Sequence, residues 1–247
     1  MSFRDFADKA KRYAGFSAVE KREFWLAAFV LGFVYSWNKW GGAEFDAWVG
    51  LGNLLFAVLT ALIALAAHHW GQRLWGVSRG IQVEHKVWWY GAGLAFIVAI
   101  LSNGNFSILA VTGTYITILS VHRLGRYRYG PQVKDYAMIA LMGPLANVLL
   151  AGFVKSLQLY VLPLPVALVD QFFIFNMAFA AWNLLPIPPL DGSRVIYASR
   201  LLYALIAGAV IGYIFLIQAF GVFSWLWALL IGLVTWLVFY IVLERTW

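Results

Sequence analysis

Long apolar runs, separated by short basic or glycine-rich stretches, set the pattern of this chain. A helix that crosses a bilayer needs about 20 apolar residues. Runs of that order occur at about 24–40, 47–72, 136–160, 165–185, 201–220 and 223–243, so about six transmembrane helices are expected. The last two come from one uncharged stretch between Arg200 and Glu244, with Phe220-Gly221 as the turn of a helical hairpin. Between Trp88 and Val121 the chain is also apolar. Here Gly91, Gly93, Ser102-Asn103-Gly104-Asn105 and Thr112-Gly113-Thr114 interrupt it, and its second half is rich in Val, Ile, Thr and Tyr. This pattern predicts a re-entrant, partly extended insertion over 88–121, buried against protein. Ahead of the first run, Phe3, Phe6, Ala10, Tyr13 and Phe16 recur at helical spacing among basic residues. Residues 1–23 therefore read either as an amphipathic lead-in on a membrane surface or as a frayed basic tail. The expected fold class is an all-α integral membrane protein, with one transmembrane domain over 24–247.

Composition agrees. The 247 residues are 63% hydrophobic and 12% charged, against roughly 45–50% and 25% in soluble domains. The N-terminus is not a secretory signal, because Arg4, Lys9, Lys11, Arg12, Lys21 and Arg22 fall within its first 23 residues. A net charge of +7 does not indicate nucleic acid, since the cations sit between apolar runs, where they orient helices and meet anionic headgroups. The absence of cysteine excludes disulfides, thiolate zinc sites, iron–sulfur clusters and a cysteine nucleophile. Thirteen tryptophans read mainly as interfacial belt. Lys and Arg gather before the first run, between the second and third (Arg73, Arg79, Lys86, Arg123, Arg126, Arg128, Lys134) and after the fourth (Arg194, Arg200). The positive-inside rule then places both termini in the cytoplasm, an arrangement suited to a prokaryotic plasma membrane.

Two stretches carry candidate chemistry. Asn183-Leu184-Leu185-Pro186-Ile187-Pro188-Pro189-Leu190-Asp191-Gly192 closes an apolar run with helix breakers and a single carboxylate. An ionisable group at membrane depth is costly and marks a functional candidate, although Asp191 is equally suited to cap a helix entering at Gly192. The second stretch is His68-His69-Trp70-Gly71-Gln72. Zinc-dependent hydrolysis needs three protein ligands, an open position for water and a carboxylate base. Two histidines at i and i+4 with a glutamate after the first supply most of that set from one helix face. Here His68 holds the first ligand position, His69 the base position and Gln72 the second ligand position. Starting the frame at His69 puts Trp70 and Arg73 in those places, and Glu84-His85 has no histidine four residues on. No standard zinc-protease motif is intact. His68 and His69 also read as interfacial residues, and Asn147, Asn176 and Asn183 as interhelical hydrogen-bond partners. Gly143-Pro144 reads as a kink.

The Asn183–Gly192 string resembles the signature of the site-2 proteases, the intramembrane zinc metalloproteases. Gly143-Pro144-Leu145-Ala146-Asn147 is similar to a second hallmark of that family, and the stretch from His68 through Gly80, Glu84 and Trp88 to its segment from metal motif to re-entrant insertion. The resemblance covers roughly residues 55–200. It implies a three-helix core from about 47–72, 136–160 and 165–185. It also implies His68 as first and Asp191 as third zinc ligand, and a substrate cleft near Asn147, Asn183, Pro186, Pro188 and Pro189. This chain departs from the pattern at His69, in place of the glutamate base, and at Gln72, in place of the second histidine. The expectation is therefore a pseudoprotease that holds a transmembrane helix or extended segment of another membrane protein without cutting it. No cofactor is expected, and zinc, if bound, would sit at a degenerate site of His68, Gln72 and Asp191. Two alternatives stand beside it. One is an active metalloprotease rebuilt on His68, Asp191 and one of His69, His85 or His122. The other is a transporter or channel, suggested by the broken apolar segment and the intramembrane asparagines, although no inverted repeat is visible.

Overall fold

The computed structural model describes residues 3–42, 44–118 and 132–244. The chain divides into two compact units, Met1–Gln132 and Val133–Trp247. Among the described residues five helices are long and apolar enough to cross a membrane, and the chain is an all-α integral membrane protein.

The first unit runs α1 (Phe3–Tyr13), α2 (Ala18–Tyr35), α3 (Ala47–Arg79), β1 (Ile81–Val87), α4 (Trp89–Leu101) and β2 (Thr112–Ile118). Ser17 and Glu20 start α2 with a reciprocal capping box. Asp46 caps α3 by accepting from the Trp48 and Val49 amides. Gly80, at φ 76°, ends α3 in the left-handed conformation that a glycine adopts without strain. α2 and α3 approach closely at Gly32, where a β-carbon would stand 2.7 Å from the Val58 backbone nitrogen.

The run expected at 24–40 is helical only to Tyr35, and its helix begins early enough to carry Glu20, Lys21, Arg22 and Glu23. α2 is thus not among the five spanning helices. The segment expected as a partly extended insertion also differs in detail. Its first half is the helix α4, its second half is β2, and the antiparallel partner β1 lies before it, pairing Ile81 with Ile118 through Val87 with Thr112. The signal for β1 is the alternation Ile81, Val83, His85, Val87, all buried, between Gln82, Glu84 and Lys86. Residues 119–131, including His122, Arg123, Arg126 and Arg128, lie outside the described residues.

The second unit holds α5 (Val133–Tyr160), α6 (Val166–Asn183), α7 (Asp191–Ala198), α8 (Arg200–Phe220) and α9 (Trp225–Phe239). α8 and α9 form the expected hairpin, turning at Gly221, φ 72°. They pack closely because Gly232 has no side chain: a β-carbon there would stand 2.6 Å from the Leu205 carbonyl oxygen. Ala151, Phe173, Met177, Tyr213 and Ala228 form a buried apolar cluster in this unit.

Candidate functional site

Helical spacing places His68 and Gln72 on one face of α3, one turn apart, and both are buried. Their side chains meet directly: the Gln72 Nε2 lies 3.2 Å from the His68 Nε2. An amide donates through its nitrogen and accepts through its oxygen, so the glutamine satisfies the ring nitrogen that a metal would otherwise take. His69 points elsewhere. Its ring centroid lies 3.9 Å from that of His85 on β1 and 6.3 Å from that of Phe24 on α2. His69 and His85 are both buried, and neither has a hydrogen-bond partner for its ring nitrogens among the described residues. Burial, followed by the nearby His68 and Arg73, pushes the pKa of His85 down to about 3. Its imidazole is therefore neutral at physiological pH.

One residue beyond Gln72, Arg73 ties this face to the start of the chain. Its guanidinium pairs with the Glu20 carboxylate, both side chains being almost fully buried, and donates to the carbonyls of Ala14 (3.2 Å) and Gly15 (2.8 Å). It also lies 4.1 Å from the centre of the Phe16 ring. Glu20 accepts in addition from the His85 amide at 2.9 Å, and Glu23 from the Val87 amide at 2.9 Å. These are the amides that β1 turns away from β2, so the two carboxylates of α2 cover the free edge of the strand. Residues 14–24 thus close over the histidines with their own rings and charges. The Ser17 and Glu20 spacing is a local capping signal, whereas the Glu20–Arg73 pair, 53 residues apart, has no local signature.

In the second unit, the apolar run ends in an irregular turn from Leu184 to Leu190. Pro186 and Pro188 are exposed and Pro189 is half-buried. α7 starts at Asp191, with Leu190 in the cap position. The carboxylate therefore sits in the first helical turn rather than capping it, a favourable place for a negative charge, 3.7 Å from the Arg194 guanidinium. Gly192 is dictated by the backbone: a β-carbon there would run into the Leu184 carbonyl and stand 2.6 Å from the Leu185 oxygen. Asn147 on α5 donates to the Asn176 Oδ1 on α6 at 3.1 Å, and Asn176 donates to the Phe172 carbonyl at 2.9 Å. Asn183 folds back on its own helix, donating to the Phe179 carbonyl at 2.8 Å.

Over 167 residues, 64% of this chain and 81% of the relative, the sequence is 29% identical to a protein of Methanocaldococcus jannaschii that carries the provisional name of a zinc metalloprotease. The chain is metalloprotease-like. No family profile and no solved structure matches it. The resemblance implies zinc, for which the described residues present no ready set of ligands. Among the described residues no three His, Asp or Glu side chains are placed to hold a metal together, and the His68 ring nitrogen is engaged by an amide. A neutral amide brings neither the charge nor the imidazole lone pair that a structural or catalytic zinc site uses.

Proposed function

We propose that this metalloprotease-like membrane protein is a pseudoprotease of the site-2 type, which holds a transmembrane or extended segment of a partner membrane protein without cutting it. The His68–Gln72 contact carries this reading, because the helix face that would share a zinc ion shares a hydrogen bond instead. The base position adds to it. His69 is packed against His85 and Phe24, and no carboxylate follows His68 to take a proton from water. For the binding role, the proline-rich turn from Leu184 to Leu190 presents Pro186, Ile187 and Pro188 at the surface, with few amide donors, since proline has none.

In this reading both termini are cytoplasmic, and the His68–Gln72 end of α3 faces that side of the bilayer. Trp48 is 84% exposed at the far end of α3, as befits an interfacial anchor. His68 follows it by about 30 Å of helix, close to one hydrocarbon thickness of about 30 Å.

A photo-crosslinker at the exposed Ile187 of the full chain, expressed in membranes, tests the binding role. The expected product is a discrete adduct with an intact membrane protein. Release of a shortened partner, prevented by a chelator, would contradict the proposal.

The unpartnered ring nitrogens of His69 and His85 favour one second reading, a metal site rebuilt with His68 after a shift of the rings, which as they stand do not meet at one point. His68 and His69 lie 5.3 Å apart by ring centroid, and His85 adjoins His69. That reading predicts bound zinc that is lost on His85→Ala, whereas the pseudoprotease predicts no zinc to lose.

A further inference from the structure

On the second unit, α5, α6 and α8 enclose a trough of about 470 Å³ with an ion pair at one end. Lys155 donates to the Asp170 Oδ1 at 2.5 Å and to the Gln158 Oε1 at 2.8 Å. Phe173 and Met177, both buried, form the floor, and Ile214 and Ile217 form a wall. Asp170 and Met177 are seven residues apart on α6, so the trough runs about 10 Å along the helix axis.

The pair is out of place for a surface that meets lipid. It lies inside the two spanning helices α5 and α6. Beyond it, toward the connecting loop, the exposed residues include the apolar Leu159, Val161, Leu162 and Val166 together with Tyr160. Yet the pair is not sealed in protein, with 46% of the Asp170 side chain and 18% of the Lys155 side chain accessible. The pair stands only about one turn inside the loop-facing ends of α5 and α6, where charges beside hydrocarbon need polar company, and protein supplies only part of it. The pair is neutral overall and presents one cation and one anion side by side, above an apolar channel.

We propose that this trough holds one bilayer phospholipid with a zwitterionic headgroup. Its phosphate would lie at Lys155, its ammonium at Asp170, and the first part of one acyl chain over Phe173 and Met177. Charge complementarity selects the occupant. An anionic headgroup would meet the Asp170 carboxylate without a compensating cation, and an uncharged glycerolipid would leave the pair unsolvated. The proposal is independent of the proposed function, which rests on other residues.

Native mass spectrometry of the full chain, delipidated and titrated with phosphatidylethanolamine, phosphatidylglycerol or diacylglycerol of identical chains, tests it. Phosphatidylethanolamine should bind as a single lipid, about fivefold or more tighter than either competitor, the effect of roughly one charge contact at a membrane surface. Asp170→Asn should switch the preference to phosphatidylglycerol, because Lys155 is then uncompensated, and Ala178→Trp, which fills the trough, should abolish single-lipid binding. Equal binding of the three lipids by the native chain would overturn the proposal, as would a native preference for phosphatidylglycerol. The native series decides the matter even if the variants fail to fold.

Discussion

The end of α3 and the turn into α7 both carry residues that resemble a protease, and they differ in what dictates those residues. At the turn, the backbone is in charge. Gly192 leaves room for the Leu184 and Leu185 carbonyls. At the end of α3, chemistry would have to be in charge, because nothing in helix packing requires a histidine at 72 or a glutamate at 69. There the chain has an amide bonded to His68 and a ring packed on His85. Backbone packing fixes the glycine at the turn, whereas only side-chain chemistry distinguishes the residues at 69 and 72.

The largest test of this contrast is Gly192→Val. A side chain at that position collides with backbone oxygens rather than with a movable side chain, so the second unit should fail to fold, read as lost monodispersity and lost thermal transition in detergent. Native-like melting would break the contrast, because it would free the turn from its backbone constraint.

Next comes Arg73→Met. It leaves Glu20 buried without its cation, a loss of about 3–5 kcal/mol for a broken buried pair. The double change Arg73→Met, Glu20→Leu should cost less than the single one, although it also removes the acceptor for the Ser17 and His85 amides. Unfolding in detergent checks both, and a single variant as stable as the native chain would show that residues 14–24 are held by other means.

His85 sharpens the comparison through pH. Its folded pKa, about 3, lies below the unfolded value of about 6.5. The stability it contributes is complete above pH 6.5 and is lost as the pH falls from there toward 3, because the unfolded chain binds the proton first. Between pH 7 and pH 5 this amounts to about 2 kcal/mol. His85→Gln should flatten the acid limb of the stability profile, and an unchanged profile would place the imidazole in a wetter setting.

A smaller effect is expected at Asn147→Ala, which removes the bond between α5 and α6. Interhelical hydrogen bonds of this kind are worth about 0.6 kcal/mol on average and up to about 1.7. A much larger loss in melting would give Asn147 a further structural role.

The parts of this fold that were legible in the sequence are those written in local patterns. Spans α3, α5 and α6 and the α8–α9 hairpin follow from apolar length, and β2 from its Val, Ile, Thr and Tyr content. β1 is less legible because Glu84 and His85 read as chemistry, although their alternation with Val83 and Val87 describes a strand with one buried face. The helix start at Ala18 is hidden from hydropathy by four charged residues, although Ser17 and Glu20 spell a cap. At the site, the substitutions at 69 and 72 were plain. The cover over them was not, since Glu20, Arg73 and the His85 amide come together from positions 53 and 65 residues apart, and no local pattern encodes such a meeting.

The central claim is that the His68–Gln72 bond stands where a metal would. Zinc content of the full chain, purified without chelator and measured again after zinc loading and buffer exchange, tests it most directly. The account predicts no retained equivalent of zinc and no difference between the native chain and His68→Ala. One tightly held zinc per chain, lost on His68→Ala, would contradict it.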